Sequence, residues 1–306
     1  MIRFLTGDQI DKQKWDALIQ RSQFPTIFAS YEFLSIASQK WGALVENDYE
    51  AGFPLPYHKK WGISYIYSPP FISRLGLFSI FPFDDSKIAV FIKHIPKQFK
   101  LVELILNPTN QIENAIYHTS YTLNLNQNYA DIQKKYSENT KRNIKTALKF
   151  PLQVTHDIPL DSIIHLFQEN RGKKIKNGIP DYHYHILNQL VNHADYEGKI
   201  EYYGVRDEDQ TLLAGAVFLI DVDRIWFWFS GRNNQFSEKR AMFYLIDQFI
   251  QQHSSSKYLL DFNGSNNPDI ARFYAGFGAQ SYSCPFLVKK DLFTNFFIKW
   301  YKKWKK

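Results

Sequence analysis

The chain has 306 residues, a formal net charge of +7 and a pI of about 9.1, with 44 % hydrophobic and 17 % aromatic residues. That length suits two compact domains of roughly 150 residues each. Cys284 is the single cysteine, which excludes an intramolecular disulfide and a cysteine-built zinc site; no apolar run of roughly 18 residues marks a membrane span.

The N-terminus lacks the apolar core of a signal peptide, so the cytoplasm is the expected compartment. Residues 2–5 read as a strand. Residues 11–22 read as an amphipathic helix capped by Asp8 or Asp11, with Trp15, Leu18 and Ile19 on its apolar face, and 30–39 as a second helix. Strands at 43–46, 51–57 and 63–67, with turns at Asn47-Asp48 and at 58–60, predict an antiparallel meander. Pro69-Pro70 forces an extended segment, Asp84, Asp85 or Ser86 caps a helix reaching about residue 97, and 101–106 and 116–125 are strands.

A boundary falls at 126–129. Residues 131–149 are polar and basic with a thin apolar stripe of Ile132, Tyr136, Ile144, Ala147 and Leu148, which predicts one helix joining the halves with a positive outer face. A strand at 152–155, helices at 161–171 and 182–193 around a basic loop, and a second meander at 199–205, 212–220 and 224–230 follow. Next comes a helix over 237–252, then a buried strand at 258–262 and the polar turn Gly264-Ser265-Asn266-Asn267. Pro268 opens a short helix with Ile270, Phe273, Tyr274 and Phe277 on one face and Gly278 as its stop. A strand at 280–289 and an apolar-basic helix from 291 end the order. The second half repeats the outline of the first without visible sequence identity.

The order of elements over 199–289 resembles the core of the GNAT superfamily of N-acyltransferases. The likeness is sharpest at Asn267, Ile270-Ala271, Phe273-Tyr274 and Gly278, which stand in register with a pattern many members carry. The fuller phrase Asp261-Phe262-Asn263-Gly264-Ser265, with Phe277-Gly278-Ala279 and the basic linker 136–147, looks like the Fem-type branch. These are tandem-GNAT proteins related to the aminoacyl-transfer-RNA-dependent enzymes that build peptidoglycan cross-bridges. The resemblance implies an α+β fold of two tandem GNAT-like domains, 1–128 and 129–306, each a mixed, mostly antiparallel sheet flanked by helices. The second would include the basic linker helix and the C-terminal helix. It also implies an acyl-CoA or aminoacyl-tRNA donor, and a small amine or lipid-linked cell-envelope precursor as acceptor. One departure stands out: the glycine-rich turn that holds pyrophosphate in acyl-CoA-using relatives reads Arg232-Asn233-Asn234-Gln235-Phe236-Ser237-Glu238-Lys239-Arg240 here.

Amide formation needs a proton for the departing thiolate or ribose oxygen, and the phenol of Tyr274 suits that task. Asp261 stands to orient or deprotonate the amine. Alternation along an extended strand would put Asn263 on the same side. Asn263, Ser265, Asn266 and Arg272 are the substrate-binding candidates; Arg232, Lys239 and Arg240 are the donor-binding ones, because guanidinium and ammonium groups hold phosphate. Each of these residue types also serves as a turn-former, cap or surface charge, and both readings stand at this point. The histidine pair His183 and His185 lacks accompanying carboxylates, so no metal site is expected. The tail 293–306 joins Trp300, Trp304 and other aromatics to five lysines, a pattern for peripheral membrane contact or for docking on the protein's own body. The missing glycine-rich turn also supports another reading, a non-catalytic double-GNAT protein that binds an anionic ligand or a membrane surface.

Overall fold

The computed structural model of the protein describes residues 1–60, 62–175, 179–264 and 266–290. The helix expected from residue 291 and the membrane contact assigned to 293–306 lie outside the described residues.

The first elements in chain order are β1 (Ile2–Thr6), α1 (Lys12–Arg21), α2 (Tyr31–Ala37), β2 (Lys40–Glu46), β3 (Ala51–Lys60), β4 (Ile63–Tyr67) and β5 (Phe78–Ser79). Then come α3 (Asp85–His94), β6 (Phe99–Ile105), β7 (Ile116–Asn124), α4 (Tyr129–Lys134), α5 (Glu138–Ala147), β8 (Gln153–Thr155), α6 (Leu160–Asn170) and α7 (Asp181–Tyr196). The order closes with β9 (Ile200–Arg206), β10 (Leu212–Ile220), β11 (Arg224–Arg232), α8 (Ala241–His253), β12 (Leu259–Gly264), α9 (Pro268–Ala275) and β13 (Gln280–Lys290).

Local chemistry starts most of the helices. Asp11, Ser30, Asp84, Asn128, Ser137 and Asn267 each stand at an N-cap, with the side-chain oxygen accepting a first-turn backbone N–H. The single helix expected over 131–149 is two helices, because Ser137 caps α5 by accepting from the Thr140 N–H at 3.2 Å. The Ser137 N–H meanwhile donates to the Gly276 carbonyl at 2.9 Å, which turns the chain between α4 and α5. The turn expected at 58–60 is strand instead, since Lys60 pairs with Ile63.

The chain forms two compact units, Met1–His118 with the segment from Ser283, and Thr119–Tyr282. A split after residue 128 would place 119–128 in the first unit and 283–290 in the second; the units have them the other way round. In the first unit β1, β2, β3 and β4 pair antiparallel in turn, β4 pairs parallel with β6, and β6 pairs antiparallel with β13. In the second, β8, β9, β10 and β11 pair antiparallel, β11 pairs parallel with β12, and β12 pairs antiparallel with β7. Both units therefore carry one pattern, a mixed and mostly antiparallel sheet of the α+β class flanked by helices.

The parallel step differs between the units. In the first, the β4–β6 register runs through Tyr67↔Glu103, and the Ser68 hydroxyl then accepts the Ile105 N–H at 3.0 Å, so the strands stay joined. In the second, β11 and β12 pair only from Arg224↔Leu259 to Trp226↔Asp261, although β11 runs on to Arg232 and β12 to Gly264. The two strands part there.

The core of the second unit sits under α8, where Phe218 and Phe249 stack at 3.6 Å and Tyr203, Leu245, Ile246 and Phe262 are fully buried. On the opposite side α6 lies so close to β11 that a Cβ at Gly231 would stand 2.5 Å from the Phe167 backbone nitrogen. Only glycine allows that approach. No helix among the described residues is long and apolar enough to cross a membrane.

Candidate functional site

The parting of β11 and β12 is prepared by a bulge. Val217 pairs with Phe229 and Phe218 with Phe227, which leaves Trp228 as an extra residue in β11. Side-chain alternation reverses across it. Phe227 faces Phe218 at 5.5 Å, whereas Phe229, only two residues on, packs on Phe167 of α6 at 5.0 Å. The regular strand expected over 224–230 does not reveal this, because the bulge depends on the register with β10.

Phe227 and Phe262 come within 6.1 Å of each other beyond the last β11–β12 pair, and Tyr274 of α9 lies against both. The Tyr274 ring stacks on Phe262 at 4.9 Å and meets Phe227 at 6.2 Å, Tyr121 at 6.1 Å and Phe273 at 5.8 Å. The ring is half-buried, as the helical spacing of α9 predicts. Burial pushes its phenol up to about 12; the nearby Arg171 charge opposes that rise and Asp261 adds to it. Arg171 stands at the C-cap of α6, and nothing in the sequence sets it apart from the cations around it.

Asp261, the residue expected to orient or deprotonate the amine, is held by hydrogen bonds inside the protein. It is fully buried, its Oδ2 accepting from the Tyr282 hydroxyl at 2.5 Å and from Arg224 Nη1 at 3.4 Å, its Oδ1 from the Asn263 N–H at 2.8 Å. Arg224 in turn forms a two-point pair with Asp223 at 2.9 and 3.0 Å. The carboxylate thus ties the start of β11 to β12 and β13.

Asn263 does not share a strand face with Asp261 by simple alternation. The β12–β7 register slips between Asp261↔Thr122 and Gly264↔Ser120, and Asn263 takes a left-handed φ of 60° at the bulge. Asn266 uses its Oδ1 to accept the Thr119 N–H at 3.3 Å, anchoring the turn to β7. Ser265 lies outside the described residues. Arg272 projects outward, 75 % exposed, 3.6 Å from Asp269.

Of the donor-binding candidates, Arg232 and Arg240 are exposed at the end of β11 and the start of α8. Lys239 is committed elsewhere: its Nζ bonds Asp207 Oδ2 at 2.8 Å and lies over the Phe236 ring. That partner raises the lysine pKa, and the lysine lowers the Asp207 carboxyl. Arg240 itself has a left-handed backbone, φ 53°, and α8 begins with no side-chain cap. The continuous helix expected over 237–252 is therefore a short 3-10 turn, Ser237–Lys239, followed by α8.

The helix α9 ends at Ala275 rather than at Gly278, with Gly276 as its C-cap. A Cβ at Gly276 would stand 2.4 Å from Thr140 Oγ1 of α5, so the glycine is where the two helices meet.

Residues 134–269 match the family model described as an acetyltransferase (GNAT) domain. Among solved structures, FemX is similar to this chain with a TM-score of 0.63 and 10 % identity, over 90 % of this chain and 95 % of that one. A conserved protein of unknown function from Bacteroides thetaiotaomicron gives a TM-score of 0.58 at 10 % identity, over 93 % and 99 % of the two chains. The C-terminal domain of a putative lysylphosphatidylglycerol synthetase from Agrobacterium fabrum gives 0.53 at 8 % identity, over 91 % and 92 %. No curated protein sequence matches. The chain has the FemX fold, and its second unit contains the segment matched by the acetyltransferase model.

Proposed function

We propose, for a chain with the FemX fold and an acetyltransferase-type segment at 134–269, that the second unit is an acyl-transfer domain forming an amide on an amine acceptor. The acceptor class we assign is a small amine or a lipid-linked cell-envelope precursor. The observation that carries this reading is the parted β11–β12 pair with Tyr274 held at the gap by Phe262. The first unit keeps the same strand pattern with the equivalent pair joined.

In the proposed reaction the acceptor nitrogen attacks the acyl carbonyl, and the resulting tetrahedral oxyanion collapses with loss of the leaving group. The positive charge of Arg171, which acts on the Tyr274 phenol, favours the negative charge that develops. Tyr274 gives its proton to the departing oxygen, and the proton that the attacking nitrogen loses on becoming an amide returns to the phenolate. A phenol raised to about 12 stays protonated at neutral pH, so the proton is held in place for the departing group. The absence of a glycine-rich turn after Gly231 favours an aminoacyl ester such as aminoacyl-tRNA over acyl-CoA. Arg232, Arg240 and the start of α8 are the groups that would meet donor phosphate.

A second reading, a non-catalytic protein that binds an anionic ligand or membrane, draws on the rings that close around Tyr274. Radiolabel transfer to an amine panel separates the two. Turnover with aminoacyl-tRNA and not with acyl-CoA is the expected result. No turnover with either donor would remove the enzymatic reading.

A further inference from the structure

Away from the parted strands, α4 and α5 enclose a groove of about 400 Å³ lined by Lys134, Lys141, Lys145, Tyr136, Ile144 and Leu148. We propose that this groove docks the phosphate headgroup of an anionic lipid at a membrane surface.

The lining divides by chemistry. Lys141 and Lys145 are one helical turn apart on α5 and Lys134 closes the groove from α4, so ammonium groups stand on both sides. Ile144 and Tyr136 are buried beneath them, and Leu148 is 64 % exposed. Lys135, Arg142 and Lys149 extend the positive field on the same segment. Lys134 and Lys141 each pair with a carboxylate one turn back, Asp131 at 2.7 Å and Glu138 at 2.9 Å. Exposed pairs of that kind are weak and screened by salt, so a phosphate can replace them.

The apolar floor selects among anions. A hydrophilic phosphate gains nothing from Leu148, whereas the glycerol and first acyl carbons of a lipid would cover it while the lysines hold the phosphate. Nucleic-acid phosphates would meet the lysines but leave the apolar floor uncovered, and Tyr136, at 3 % exposure, offers no ring for base stacking. The groove is distinct from the Tyr274 site, so the proposal stands or falls independently of acyl transfer.

The test is flotation of the full chain with phosphatidylcholine vesicles, with and without phosphatidylglycerol. Binding is expected only with phosphatidylglycerol. The double variant Lys141→Glu/Lys145→Glu lowers partition at least about tenfold. Leu148→Ser, which leaves the charge unchanged, lowers it roughly threefold. A charge-matched control on the first unit, Lys93→Glu/Lys97→Glu, stays within about twofold of the unmodified protein. All the substituted residues are surface groups, and circular dichroism verifies the fold. The tail 293–306 is the same in every variant, so differences report the groove. Unchanged partition in the lysine variant, an equal fall in the control, or no effect of Leu148→Ser would each overturn the proposal. So would loss of tRNA binding in the lysine variant with vesicle binding intact, which would assign the groove to nucleic acid.

Discussion

The ring of Tyr274 lies 4.9 Å from that of Phe262 with the planes 23° from parallel, so the side chain proposed to offer the proton is also part of the packing between α9 and β12. These two contributions separate by substitution. Tyr274→Phe keeps the stacked ring and removes the hydroxyl. Transfer from the best donor should fall by about 10²-fold or more while the melting temperature stays nearly unchanged. Tyr274→Ala should lose both activity and stability. Full turnover in the phenylalanine variant would remove the proton-donor role.

Asp261→Asn tests the buried tie to Arg224 and Tyr282. An amide there turns an N–H donor toward a group that itself donates and removes one of the carboxylates paired with the Arg224 guanidinium. A loss of about 3 kcal/mol is expected, read as a lower urea midpoint at constant slope. Lost transfer at unchanged stability would instead return Asp261 to the chemistry.

Asp247 of α8 is buried, and burial pushes its carboxyl above the ordinary 3.8 against the hydrogen bond donated by the Tyr129 hydroxyl at 2.8 Å. Because the folded state holds this proton more tightly than the unfolded chain, the penalty is absent below the unfolded pKa. It grows as pH rises through the raised folded value. Asp247→Asn keeps an oxygen for Tyr129 and carries no charge. It should therefore exceed the unmodified protein in stability at neutral pH, with the difference closing toward about pH 4. Urea titrations across that range measure it; a difference that widened on acidification would contradict the assignment.

Arg240 occupies a left-handed backbone position at the start of α8 where glycine is conformationally cheap. Arg240→Gly should raise stability by up to about 1 kcal/mol, and Arg240→Ala should not. If Arg240 also meets donor phosphate, the glycine variant will show a higher KM for the donor with little change in kcat. A midpoint lowered by Arg240→Gly would show that the side chain, rather than the backbone, governs this turn.

Much of this was legible from local chemistry. Asp11 and Asp84 stood among the expected caps and Ser30 and Pro268 at expected helix starts, because short oxygen-bearing side chains satisfy first-turn N–H groups and proline fits the first helical turn. The phrase from Asp261 to Ala279 likewise gave the strand, turn and helix that hold Tyr274. The helix break at Ser137 was less accessible: the cap is visible in the sequence, but the bond from its N–H to Gly276 is not.

The sequence by itself determined the element types, the repeated α+β pattern and the position of Tyr274 on a helical face, since periodicity and capping are properties of neighbouring residues. The tertiary structure decided which repeat opens. Pairing beyond Trp226↔Asp261 is lost through register and through the bulge at Trp228, while Ser68 keeps the equivalent pair joined in the first unit. It also enclosed Asp261 and gave Lys239 to Asp207. Each of these depends on partners many residues away, whose register or approach no local pattern encodes.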